Sequence, residues 1–334
     1  MNTNLRHISY CLIALLLFVA CRKESHPLTP EEPEEQYAIS MNATSVTGMT
    51  TSRALVTDDA DLQVQGTNLG VFAYKELADG TKVSVFDNER IYYTDTDGWK
   101  YDNTKYWDKA ATEYCFVAYY PYLTDNIIYN KQNLTISNIP CWQTIDGSET
   151  DYLVANSNGS ANYYLSTDSK SVPLDFKHIL CQLEVRVAKN AFLSSTYTLS
   201  SISYTNVPKL DEKADYTFPE DASNEFVISS TAQLMAELNN VVVPSDPDEN
   251  TSTTIKHLVV PFNASDNVKV TLAYKVNGND TPRSPAVVDT NLSTLQAGKR
   301  YVLTLIFNSG ADIETSLEIL DWVYEDVDED KYNW

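Results

Sequence analysis

The sequence predicts an all-β protein built as two β-sandwich domains in series. Three observations carry this. Short runs rich in Val, Ile, Thr and Tyr recur throughout, and Tyr (22) outnumbers Phe (10); these are strand-favouring residues. Turn signals return about every ten residues, the spacing of short antiparallel strands. No long segment carries a helical period.

The chain opens with a leader. Leu12 to Cys21 reads Leu-Ile-Ala-Leu-Leu-Leu-Phe-Val-Ala-Cys, preceded by Arg6 and His7. A positive start, a short apolar core and a small-residue exit form a secretory signal peptide over residues 1–20. The run is shorter than the ~20 residues a membrane-spanning helix needs. Phe18-Val19-Ala20-Cys21 resembles a bacterial lipobox, with Phe18 where Leu is usual. That resemblance implies lipid on Cys21, and several acyl chains would hold the processed chain firmly on a membrane. Residues 21–36, with three prolines and five glutamates, read as an extended, lipidated linker.

Two sandwich domains are expected beyond the linker, at residues 37–171 and 172–334. In the first, Tyr37–Val46 alternates Ala, Ile and Met with Ser and Asn, which suits a strand burying one face. Residues 47–53 form a loop ending in the lone basic Arg53. Strands are expected at Leu69–Lys75, Val83–Phe86, Arg90–Thr94, Trp99–Tyr101, Tyr114–Tyr120, Ile127–Ile136 and Asp151–Ala155. Tyr114–Tyr120 is apolar throughout and reads as a central strand covered on both faces, ended by Pro121. The Ser/Asn-rich stretch 156–171 is the expected boundary. In the second domain, Ile179 to Val187 gives the cleanest period-two signal. Further strands are expected at Thr198–Tyr204, Tyr216–Phe218, Leu258–Phe262, Val268–Val276, Tyr301–Phe307 and Ser316–Val323, with a short helix at Thr231–Leu238.

Composition narrows the function. The net charge is -22, and nucleic acid or anionic lipid headgroups would require basic patches instead. Five cysteines are present; Cys11 leaves with the leader and Cys21 is the lipid site. Cys115 and Cys181 lie in apolar strand patterns and are expected as small buried hydrophobes; spacing alone selects no disulfide among Cys115, Cys141 and Cys181. No Cys/His spacing suits zinc, so no metal or cofactor is expected. His178 and His257 are the histidines of the folded body, and no GxSxG-type elbow accompanies them. His178 reads as a hydrogen-bonded structural residue, and the chain as a non-enzyme. Asp95-Thr96-Asp97-Gly98 begins like a calcium loop, but its Gly is early and the closing Glu position holds Tyr106; a polar hairpin turn is expected. Tyr119-Tyr120-Pro121-Tyr122 suits core packing first and sugar stacking second.

Several segments in order resemble the fimbrillin family (Mfa-like, FimA-like) of Gram-negative anaerobes, which build type V pili. They are the lipobox at Cys21, Thr51-Ser52-Arg53-Ala54, Leu69–Tyr74, Tyr106-Trp107, Phe116–Tyr122, Leu174–Val185, Ala297–Tyr301 and Leu317–Trp322. The resemblance implies two transthyretin-like sandwich domains and a fimbrial subunit exported to the outer membrane as a lipoprotein. It implies cleavage after Arg53, giving a new start at Ala54, and removal of strand Tyr37–Val46. A strand from a neighbouring subunit would fill the groove; here the candidate donor is Ser316–Val323, with Leu317, Ile319 and Trp322. The implied partners are other fimbrial subunits and, before processing, the outer membrane through Cys21. The alternative is a monomeric surface lipoprotein that binds glycan or a host protein.

Overall fold

A computed structural model describes residues 37–45, 62–167, 170–218, 226–227, 232–247, 251–278, 285–309 and 312–322. Cys21, Arg53 and Ala54 lie outside the described residues.

In the first half the strands are β1 (Ser40–Ser45), β2 (Asn68–Glu76), β3 (Lys82–Thr94), β4 (Gly98–Lys100) and β5 (Glu113–Tyr120). They continue with β6 (Ile127–Tyr129), β7 (Leu134–Pro140), β8 (Trp142–Thr144), β9 (Leu153–Gly159) and β10 (Ser171–His178). The second half holds β11 (Cys181–Lys189), β12 (Tyr197–Val207), β13 (Lys213–Phe218), β14 (Phe226–Val227), β15 (Ala232–Val242) and β16 (Thr254–Val259). It ends with β17 (Phe262–Asn263), β18 (Lys269–Val276), β19 (Ala286–Asp289), β20 (Thr294–Leu295), β21 (Lys299–Ser309) and β22 (Asp312–Asp321). A short helix, α1, spans Ala161–Ser166; its N-cap Ser160 accepts from the Tyr163 amide. The all-β expectation holds.

Seven strands form one sheet in the order β1-β10-β9-β5-β2-β3-β4. As its unbroken apolar run requires, β5 sits at the centre. Phe72, Val117, Tyr119 and Val154 face a core completed by Leu134, Ile136 and Tyr216 from the three-stranded sheet β13-β7-β6. On the opposite face Trp107 stacks on Tyr164 of α1 (5.0 Å, 17°), with Tyr114 and Phe116 packed edge-on or stacked around them.

The second core lies between the sheet β22-β21-β11-β16-β8 and the sheet β15-β12-β18-β19. Alternation in β11 sends Leu183, Val185 and Val187 inward against Ile202, Tyr204, Leu272 and Tyr274. Its other face carries Glu184, fully buried and shared by Arg186 Nε (2.6 Å) and Arg300 Nη2 (2.7 Å). His257, also buried, accepts from Trp142 Nε1 at Nδ1 (3.1 Å) and meets Tyr204 Oη at Nε2 (3.1 Å). Burial holds its pKa down to about 3, so the ring is neutral and Nε2 is the donor.

One expectation needs correction. Thr231–Leu238 is not a helix: β15 runs through it, because pairing with β12 buries Leu234 while Met235 and Glu237 point outward. Tertiary pairing here overrides the helix preference of Ala, Gln, Leu, Met and Glu. Within the Ser/Asn-rich stretch β9 continues to Gly159 and α1 follows. The strand beginning at Ser171 stays with the first sheet, because β10 pairs with β1 and β9. The halves also interleave: β8 joins the sheet of the second half, and β13 pairs with β7 of the first.

Smaller differences follow the same logic. Val83–Phe86 and Arg90–Thr94 belong to one bulged strand, β3, which bends where Asn88 adopts φ 51°. Asp95–Gly98 is a hairpin turn between β3 and β4, with Lys100 ion-paired to Asp97. Cys115, Cys141 and Cys181 are all free thiols.

Candidate functional site: the two terminal strands

The chain's first and last described strands are both edge strands, of different sheets. β1 runs parallel to β10, with Ser40↔Ser171, Met41↔Val172 and Ala43↔Leu174 in register. Its period-two pattern buries Ile39, Met41 and Ala43 and exposes Ser40 and Asn42. On its other side the Ile39 amide donates to Lys105 O (2.8 Å), Tyr101 Oη donates to Ile39 O (2.6 Å), and Ala38 bridges Tyr106. Thus β1 starts between two walls, β10 and residues 101–106.

The pairing of β10 makes β1 more than an accessory. Only Lys177 and His178 of β10 pair with β9; among the described residues, Ser171–Phe176 have β1 as their ladder partner. Val172, Leu174 and Phe176 are fully buried on the face they share with Met41 and Ala43. Burying Ile39 and Met41 is worth roughly 3–6 kcal/mol together, comparable to the net stability of a small domain. Without β1, six residues of β10 would present unpaired backbone groups beside an apolar slot.

At the other end β22 pairs antiparallel with β21 from Asp312 to Asp321. Little of it is buried. Ile313 and Leu317 rest half-buried on the second core, whereas Ile319 is 55% exposed and Leu320 38%. Trp322, just past the strand, is buried, and its amide donates to Gly298 O (2.7 Å). Its ring lies flat on His178 of β10, 4.1 Å between centroids and 4° from parallel. His178 Nδ1 in turn contacts Asp151 Oδ2 at 3.0 Å. Leu317 and Ile319 lie on one face of β22, the first half-buried on the second core and the second more than half exposed, whereas Trp322, just past the strand, is buried against His178. His178 was readable as structural; its stacking partner 144 positions away in sequence was not, because nothing local signals it.

This arrangement defines an all-β protein whose first and last described strands are both sheet edges. A family model described as Fimbrillin-like matches residues 52–322, and the chain belongs to that family of fimbrial structural proteins. No functionally curated protein matches it. Among solved structures it resembles a fimbrial protein from Bacteroides vulgatus at 15% identity, with 86% of this chain and 100% of that one covered and a TM-score of 0.54. It also resembles a candidate cell adhesion protein from Bacteroides ovatus at 17% identity, with 87% and 99% covered and a TM-score of 0.51. At these identities the likeness is one of fold.

Proposed function

We propose that the chain is a structural subunit of a cell-surface fimbria. It is exported as an outer-membrane lipoprotein tethered through Cys21, cleaved after Arg53, and assembled with other subunits by strand exchange. The observation that carries this reading is the dependence of β10 on β1. Cutting after Arg53 would detach a segment whose removal leaves Val172, Leu174 and Phe176 uncovered and their backbone unpaired. An extended strand from another copy or another subunit satisfies both needs at once.

β22 is the donor in this reading. It is an edge strand with a small buried share, so detaching it costs less than detaching β1. Its residues Thr315, Leu317 and Ile319 repeat the every-second-residue spacing of Ile39, Met41 and Ala43. Two transthyretin-like domains are part of the same proposal. In this reading the join between them falls at Ile179-Leu180, a placement supported by the pairing of β10 with β1 and β9.

Treating the purified chain with an arginine-specific protease tests this. The expected products are a new N-terminus at Ala54 and then polymers, with Arg53→Ala resisting both. A chain cut at Arg53 that stays monomeric, alone and with candidate partner subunits, contradicts assembly by strand exchange.

A further inference from the structure

Where β5 leaves the seven-stranded sheet, the chain turns through Tyr120-Pro121-Tyr122 beside the start of β2 and the middle of β3. Together these segments border an open cleft of about 300 Å³, lined by Thr67, Asn68, Arg90, Tyr120, Pro121 and Tyr122. The register explains how it forms. Gly70 sits opposite both Arg90 on β3 and Tyr119 on β5. A Cβ on Gly70 would lie 2.1 Å from the Tyr119 ring, so the missing side chain lets Tyr119 lie across β2. There Tyr119 is fully buried and donates to Asn88 Oδ1 (2.5 Å). Tyr120 and Tyr122 are left half-buried at the cleft, with the loop fixed to β2 by the Tyr122 amide on Asn68 O (3.1 Å). The tyrosine cluster thus divides into a core ring, Tyr119, and two half-buried residues, Tyr120 and Tyr122, that border the cleft.

Three polar side chains here, those of Arg90, Thr67 and Tyr122, have no hydrogen-bond partner among the described residues, whereas Asn68 Nδ2 donates to Gly66 O (2.6 Å). Arg90 is exposed, and its one contact is with the ring of Tyr92, 5.4 Å from guanidinium carbon to centroid. Among the described residues it has no hydrogen bond and no carboxylate partner, in a chain with 46 acidic residues against 24 basic ones. Arg186 and Arg300, by contrast, are both committed to Glu184. The hydroxyls of Thr67 and Tyr122 also lack partners among the described residues.

We propose that this cleft binds a single saccharide residue bearing a carboxylate, of the uronic acid class. The Arg90 fork matches a carboxylate with two parallel hydrogen bonds. The Tyr122 ring offers an apolar face to the C–H side of a pyranose. Thr67 and Tyr122 supply hydrogen bonds for ring hydroxyls. The volume sits at the low end for ligand sites, about 300–1,000 Å³, which suits one ring. The site uses no residue of β1 or β22, so it stands or falls apart from strand exchange.

The test is a titration of the purified chain with glucuronate, glucose and acetate, followed by backbone amide NMR shifts. Glucuronate is expected to bind with a dissociation constant in the millimolar range and to shift amides at 66–68, 90 and 122. Glucose and acetate, each lacking one half of the recognition, should bind at least about tenfold more weakly. Arg90→Met and Arg90→Lys should weaken glucuronate at least about tenfold with an unchanged melting temperature, since the side chain is exposed. Binding of acetate as strong as glucuronate, binding unaffected by Arg90→Met, or no shift at saturating glucuronate would each overturn the proposal.

Discussion

Trp322 lies flat on His178, 4.1 Å between ring centroids, and so ties the end of the last described strand to β10. The same β10 carries β1 along its outer edge. One strand therefore touches both ends of the chain, and the stack is the main buried contact at the end of a largely exposed β22. Trp322→Ala should cost about 3–5 kcal/mol, as large-to-small changes of buried aromatics do. Hydrogen exchange should show the amides of Asp312–Asp321 losing protection first, while those paired between β11 and β16 keep theirs.

The β1 slot can be weakened from inside. Ile39→Ala should cost roughly 2–5 kcal/mol and should act locally. Limited proteolysis is expected to release the segment before β2 faster than in the parent chain, with the second core unaffected by near-ultraviolet circular dichroism. Ser40→Ala, on the exposed face, should change little, although it loses the hydrogen bond to Lys170 O.

His257 gives a pH signature. Its folded pKa lies near 3 and its unfolded value near 6.5. Both states are neutral above pH 6.5. Below it the unfolded chain takes up a proton that the folded chain refuses, so stability falls by up to about 1.4 kcal/mol per pH unit down to about pH 3. Between about pH 5.5 and 7, above the carboxylate range, urea unfolding should show this slope, and His257→Gln should flatten it.

Glu184 holds two arginines with its side chain wholly buried. Glu184→Gln should destabilise by about 3–5 kcal/mol, because it removes the carboxylate charge that faces the Arg300 guanidinium, which is 8% exposed. The double change Glu184→Leu with Arg300→Leu should recover much of that loss in urea denaturation, since no buried charge is left unpaired.

Much of this fold is visible in the sequence because its strands bury alternate residues. Ile179–Val187 announces a face by alternation, and Tyr114–Tyr120 announces a central position by being apolar throughout. β15 was hidden, since its residues favour a helix and its pairing with β12 decides otherwise. A polar stretch such as 156–171 looks like a linker, yet Tyr164 and Ala161 within it are buried. Of the terminal strands, the alternation of Ile39, Met41 and Ala43 reveals a buried face. Its parallel partner, 131 residues away, has no local signature, and neither has the docking of Trp322.

The account's central claim is that the slot lined by Val172, Leu174 and Phe176 accepts a strand like β22 once β1 has gone. The direct measurement is binding of a labelled peptide spanning residues 312–322 to the chain cut after Arg53, followed by fluorescence anisotropy. The cut chain should bind it and the uncut chain should not, with Leu317→Asp and Ile319→Asp in the peptide abolishing binding. A cut chain that ignores the peptide, or an uncut chain that binds it equally well, would contradict the account.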